Sequence, residues 1–304
     1  MNKKVATARL SIISNTFLII IKAVVGLLSG SVSILSEAIH STMDLLASII
    51  AFFSVKISDR KPDEKHPYGH GKFENISGVI EALLIFVAAI WIIYEAVEKI
   101  LLKYEVKNLG WGFLVMFISS VVNFFISRRL YKVAKETDSI ALEADALHLK
   151  VDVYTSLSVA IGLFLIWITG YYILDPIFAI LVAMLILRES YILLKTAYSP
   201  LLDVKLDDGE IDIIKKAISD KNFGCIAFHQ LRTRKAGHLK YVDLHLVVPQ
   251  DYSVKESHDM CDAIEKEIER MINNIEVTIH VEPCTKSCDD CESYNGKTIP
   301  QVRD

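Results

Sequence analysis

Six stretches of this sequence are apolar over a length that crosses a bilayer, and nothing else constrains its fold as much. They run roughly over residues 8–28, 33–56, 74–101, 110–128, 142–169 and 173–197. The hydrocarbon core takes about 20 residues of helix and offers no water to backbone polar groups, so such segments read as transmembrane helices. Lys and Arg are distributed unevenly around them. Lys3, Lys4 and Arg9, then Arg60, Lys61, Lys65 and Lys72, then Arg128, Arg129, Lys132 and Lys135 fall on one side. The opposite side carries Lys103 and Lys107. This bias predicts a multi-pass protein of the cytoplasmic (inner) membrane with both termini in the cytoplasm.

The apolar character does not last to the end of the chain. Of 304 residues, 52% are hydrophobic yet 23% are charged, at a mean hydropathy of +0.36, which fits an apolar part followed by a soluble one. The change comes after Pro200. Residues 207–220 read as a helix with Asp207, Asp208 and Glu210 at its positive end. Two strands, about 223–235 and 240–249, flank the turn Lys235-Ala236-Gly237-His238. An amphipathic helix over 253–272 and a strand over 275–281 complete an α-β-β-α-β order, a small α+β unit with one open sheet face. The expected division is 1–205, 206–284 and a polar, flexible tail over 285–304. The net charge of -4 offers no basic field for nucleic acid. Five cysteines, Cys225, Cys261, Cys284, Cys288 and Cys291, all lie in the soluble part and read as reduced cytosolic thiols.

Polar residues inside the apolar spans require a reason, because an Asp at a helix centre costs about 2.5–3.5 kcal/mol on insertion scales. His40 and Asp44 stand one helical turn apart on a shared face of the second span. His148 and Asp152 repeat the pattern on the fifth. One such pair is as readily an internal hydrogen bond as a ligand pair; two identical pairs, meeting, make a cage of two imidazoles and two carboxylates. That donor set suits tetrahedral zinc. Mn²⁺ prefers harder, oxygen-rich sites, while Co²⁺ and Fe²⁺ compete for this one. Imidazole, with an unperturbed pKa of about 6.5, must lose its proton to bind metal, so exchange of metal for protons is built into the ligands. Glu81 is read either as a proton relay or as a packing contact. Asn15, Glu37, Asn123 and Asp145 are expected to serve helix–helix hydrogen bonds, and Lys22 to snorkel or pair with a carboxylate.

These residues resemble the cation diffusion facilitator family, in particular its bacterial homodimeric zinc/proton antiporters. The resemblance runs from about residue 8 to 284. It rests on Gly30-Ser31-Val32-Ser33-Ile34-Leu35, on His66-Pro67-Tyr68-Gly69-His70-Gly71-Lys72, and on His148-x-x-x-Asp152. It implies a six-helix transmembrane transport domain over 1–205 and a metallochaperone-like cytoplasmic domain over 206–284 that binds metal and dimerises. His40, Asp44, His148 and Asp152 become the transport site. Some bacterial members have Asp in place of His40, and the His form is similar to the more zinc-selective animal and fungal branch. Asp63, His66 and His70 become a second, exposed loop site; on their residues alone they are equally a solvated loop. Gly71-Lys72 is no phosphate loop, since no strand precedes it and Phe73 stands where Ser or Thr is required.

In the soluble domain the resemblance implies a zinc site of His229, His245, His258, His280 and Glu282, Glu282 replacing the Asp of a better-known relative. Any one of these alone reads as a surface histidine. Eight of the nine histidines, all but His238, nevertheless fall on these three sites. Lys72 and Asp203 match a charge interlock between the halves of the family dimer. Cys284, Cys288 and Cys291 are candidate tail ligands for a soft metal. Zinc thus stands as both substrate and regulatory ligand, with the homodimer, protons and the lipid bilayer as partners. Rival expectations are the same architecture exporting Fe²⁺, Co²⁺ or Mn²⁺, and a membrane-anchored metal sensor. An intramembrane metalloprotease is excluded: no histidine here is followed by Glu, as the His-Glu-x-x-His helix demands. Because the preference for zinc rests mainly on His40, His40→Asp is expected to loosen selectivity without stopping transport. Competition between Zn²⁺ and Mn²⁺ in a flux assay measures it, and unchanged selectivity would remove His40 from that role.

Overall fold

The computed structural model describes residues 3–29, 32–102, 110–169, 173–219 and 227–284; within the helices, the side chains of Glu37 and His40 are among those outside the described set. The chain divides into two compact units, Met1–Ser199 and Pro200–Asp304. The first is helical throughout: α1 (Lys3–Ser29), α2 (Val32–Ser58), α3 (Lys72–Leu102), α4 (Gly110–Thr137), α5 (Ile140–Thr169) and α6 (Leu174–Tyr198). Among the described residues, Lys3–Leu28, Lys72–Leu101 and Pro176–Leu202 are long and apolar enough to cross a membrane. The helices outrun the apolar stretches that predict them. α4 continues to Thr137 because lipid sets where apolarity ends, whereas the basic segment Arg128–Lys135 still forms helix well. It stops at Asp138, whose φ of 53° takes the left-handed conformation, and Ser139 N–H bonds back to Ala134 O at 3.0 Å, closing a Schellman turn into α5.

α3 packs along α6, α1 along α2 and α4 along α5, while α5 also touches α2, α3 and α6. Small residues make this central position possible. Ala141 and Ala146 of α5 are buried in one cluster with Leu142 and Leu149, while Ala144 packs in another with Ala82 and Ala89 of α3. At one end, four helices are tied through buried polar atoms. Lys4 of α1 bridges Asp59 at 2.6 Å and Glu74 of α3 at 3.2 Å. Glu74 also accepts from Ser58 of α2 at 2.7 Å and from Ser139, before α5, at 2.5 Å.

The second unit contains α7 (Asp208–Ile218), β1 (Ala227–Ala236), β2 (Leu239–Val248), α8 (Val254–Met271) and β3 (Ile275–Pro283). The sheet order is β1-β2-β3, with β1 antiparallel and β3 parallel to β2. Gly237, at φ 62°, makes the β1–β2 turn, and a full capping box of Ser253 and Glu256 starts α8. Strand alternation sends Val242, Leu244, Leu246 and Val248 to one face, where they pack with Ile214 and Ile218 of α7 and Ile264 and Ile268 of α8. β3 extends past the expected 281 because its pairing continues through Val247 with Glu282 and Val248 with Pro283.

At Gly78, α3 lies close against both α5 and α6. An alanine there would place its Cβ 2.6 Å from Ile140 Cγ2 and 3.0 Å from Ala197 Cβ. Gly78→Ala is therefore expected to destabilise the helical unit by about 1–3 kcal/mol through overpacking. Thermal unfolding of the detergent-solubilised protein reads it; an unchanged melting temperature would show that α5 and α6 can yield without cost.

Candidate metal centre

Three clusters of metal-binding side chains form among the described residues of the two units, each within one unit. The first, in the helical unit, joins α2 to α5. Asp44, His148 and Asp152 each bring a ligand atom to within 4.8 Å of the others. His148 Nε2 lies 3.0 Å from Asp44 Oδ1, across 104 residues of sequence. His148 and Asp152 are held together by their one-turn spacing on α5, and Asp44 arrives because α2 packs against that helix. His40 precedes Asp44 by one turn on α2, and its side chain lies outside the described residues.

Neighbouring helices orient this group. Asn123 of α4 donates to Asp152 Oδ2 at 3.2 Å. Asn15 of α1 donates to Ser48 Oγ at 2.8 Å, and Ser48 donates to Asp145 Oδ1 at 2.9 Å, linking α1, α2 and α5. Lys22 of α1 donates to Ser41 Oγ at 2.7 Å, between His40 and Asp44 in the sequence. Asn15, Asn123 and Asp145 thus make the interhelical hydrogen bonds expected of them. That Asn123 holds a site carboxylate was not legible; an Asn among apolar residues signals a partner without saying which.

The second cluster lies in the loop between α2 and α3. Asp63 Oδ1 accepts from the backbone N–H groups of His66 at 2.7 Å and Lys65 at 2.9 Å. These bonds, that of His66 first, hold its carboxyl below the usual carboxylate range. His66 Nδ1 stands 3.2 Å from Asp63 Oδ1 and His70 Nε2 3.3 Å from Asp63 Oδ2. Gly69, at φ 79°, returns the chain so that the two rings approach to 4.5 Å. Two nitrogens and a carboxylate make a partial coordination set that water would complete.

The third cluster is a row across the sheet of the second unit. His229 pairs with His245 in the β1–β2 register, and His245 with His280 in the β2–β3 register. The face opposite the helices therefore carries three imidazoles side by side, with ring centroids 5.1 and 4.7 Å apart. Glu282 closes the group: its oxygens lie 2.9 Å from His229 Nε2 and 2.7 Å from His245 Nδ1. His280 Nε2 is 3.9 Å from the same carboxylate, outside the compact trio of His229, His245 and Glu282. His258 is exposed on α8 and is not gathered with them within one chain. The β1 bulge after His229, with Gln230 at φ 51°, lets that ring stay in the row while Leu231 returns to the core. Cys284 ends the described chain, its N–H bonded to Val248 O at 2.7 Å; Cys288, Cys291 and the rest of the 285–304 tail lie outside the described residues. Lys72 opens α3 in the first unit and Asp203 follows Leu202 in the second.

Comparison with known proteins covers nearly all of the chain. The cation efflux transmembrane domain matches residues 8–202, and the cytoplasmic domain of cation efflux proteins matches residues 206–284. An uncharacterized transporter of Synechocystis is 35% identical over 84% of this chain and 83% of its own length. The cation-efflux pump FieF of Shewanella oneidensis is 30% identical, covering 91% of this chain and 93% of its own. The manganese efflux system protein MneP of Bacillus subtilis is 32% identical, over 93% and 96% respectively.

Glu282 offers a direct check on the sheet cluster. Its hydrogen bond with His245, then that with His229, holds its carboxyl below the usual range. A lowered carboxylate pKa stabilises the fold fully above the ordinary value, near 4.3, and that contribution disappears as pH falls through the lowered value. Glu282→Gln is expected to unfold at lower temperature than wild type at about pH 6 and to converge with it in stronger acid. A difference that stays constant through the carboxylate's titration would show that the His contacts do not carry it.

Proposed function

This chain belongs to the cation diffusion facilitator family and is an efflux transporter of divalent cations, and on that premise we propose that zinc is its main cargo and protons its counter-ion. The observation that carries the proposal is the intramembrane group of Asp44, His148 and Asp152 on two packed helices. With His40 it supplies two nitrogen and two oxygen donors, a set that fits tetrahedral Zn²⁺ and is poor for Mn²⁺, which prefers oxygen. The relationship to a protein named for manganese efflux leaves the metal open, so the donor chemistry is the better guide. Protons enter through the same atoms: each imidazole binds either a metal or a proton on its coordinating nitrogen, so metal entering from the cytosol displaces protons that return inward. The basic loops favour both termini in the cytoplasm, which gives this exchange the direction of export.

The working protein is proposed to be a homodimer whose cytoplasmic domain reports metal. His229, His245 and Glu282, with His280 beside them, offer two to three imidazoles and a carboxylate on an open sheet face, a donor set that suits Zn²⁺. Zinc held there would cross-link the three strands and neutralise the carboxylate. His258, exposed, remains available to complete that site in the dimer. Asp63, His66 and His70 are proposed as a weaker loop site, Lys72 and Asp203 as an interlock between the two copies, and Cys284, Cys288 and Cys291 as tail ligands.

Asp152→Ala is expected to abolish Zn²⁺ flux in proteoliposomes while metal binding to the cytoplasmic domain persists. Flux that survives the substitution would move the transport site elsewhere and favour a membrane part that only anchors a sensor. Strong Mn²⁺ transport by the wild type with none for Zn²⁺ would overturn zinc as cargo.

A further inference from the structure

The face of α4 turned away from the helical core changes character along its length. Leu130, Val133 and Ala134 are buried in that core. On the exposed side two rows run at helical spacing, from Phe124 through Arg128 to Tyr131 and from Phe125 through Arg129 to Lys132. Each row passes from an aromatic ring to a cation within one turn. The whole of α4, Gly110–Thr137, falls within the matched transmembrane domain.

The cations nearest the C-terminal end of α4 are neutralised by the protein itself. Lys135 pairs with Glu143 at 2.7 Å. Glu136, one turn after Lys132, is instead ion-paired with Lys3 of α1. Arg128, Arg129 and Lys132, closer to the aromatic rings, have no ion pair among the described residues. Arg128 and Lys132 stand four residues apart, a spacing at which like charges disfavour a helix. An anion held between them reverses the sign of that interaction.

The aromatic rings decide which anion fits. Lipid-facing side chains give way to cations and a tyrosine at the depth where a bilayer places its headgroups. An acidic protein would meet the cations but not the rings that continue each row. A phospholipid meets both, and a guanidinium matches its phosphate oxygens with paired N–H donors. A zwitterionic headgroup brings a cation of its own into a patch that already has three. A net-anionic headgroup does not.

We propose that the outer face of α4 at Arg128, Arg129 and Lys132 is a binding site for an anionic phospholipid of the surrounding membrane. Its phosphate lies on the cations and its acyl chains run along Phe124 and Phe125. The site rests on α4 spanning the bilayer and is independent of which metal the protein carries.

Native mass spectrometry of the full-length protein in detergent micelles, with phosphatidylglycerol or phosphatidylcholine added, reads the lipid retained. Wild type is expected to hold phosphatidylglycerol in preference to phosphatidylcholine. Arg128→Gln, Arg129→Gln and Lys132→Gln are each expected to weaken phosphatidylglycerol binding about fivefold and to leave phosphatidylcholine binding unchanged. Lys255→Gln, an equal loss of charge at an exposed position of α8, is expected to alter neither. The three side chains on α4 are exposed, so the variants are expected to fold, and any two decide the question if the third does not. Equal retention of phosphatidylglycerol by wild type and variants overturns the proposal, as does a wild type that does not distinguish the two lipids. Glycerol phosphate carries a phosphate without acyl chains; if it displaces phosphatidylglycerol at equal concentration, the patch is a general phosphate site and the lipid assignment falls.

Discussion

The membrane unit is governed by the scarcity of water at its depth. Backbone groups must be satisfied within each segment, which dictates helices, and any polar side chain must find its partner on a neighbouring helix. The consequence is visible along α5. Its buried alanines let α2, α3, α4 and α6 come close, and three of its polar residues are met by those neighbours. Asp152 meets Asn123, Asp145 meets Ser48, and His148 meets Asp44. A residue that would be a minor surface feature in a soluble protein here fixes how helices are paired.

The soluble unit reaches a similar donor set from a different constraint. Strand alternation commits one sheet face to the helices α7 and α8, so every second residue of β2 and β3 is free for chemistry. Register then places His229, His245 and His280 in line, and Glu282, two residues beyond His280 on the same face, reaches back across to the first two. The site is stiff because its ligands stand on paired strands, while the helical site depends on the packing of two rods.

That difference explains what could be read in advance. The spacing of His148 and Asp152 is a local property, since one turn of helix puts both on one face whatever surrounds it. The contact between His148 and Asp44 is not local; it depends on α2 lying against α5, which apolar stretches cannot specify because lipid and neighbouring helix ask for the same residues. The strands of the soluble unit announce themselves by alternation, but the parallel pairing of β3 with β2 depends on the crossover through α8, so the row of histidines had to be seen. Element ends were missed where a different force took over, as at α4, whose apolar stretch ends at Arg128 but which continues as helix until the left-handed Asp138. The position of His258 follows the same logic. Its helix is fixed by the buried stripe of Cys261, Ile264 and Ile268, which settles which side faces in but not what a second copy of the chain would bring to the exposed side.

In the proposed exchange of metal for protons, the His148–Asp44 contact gives a reason for one place to serve both ions. Within each helix the one-turn spacing survives any rigid movement, so the only part of the cage that opening or closing changes is the distance between α2 and α5. A proton between His148 Nε2 and Asp44 Oδ1 joins those helices by a hydrogen bond, and a metal joins the same two atoms by coordination. Either ion can therefore hold α2 against α5. Exchange and movement are then linked by the same pair of atoms, without a separate device to transmit one to the other.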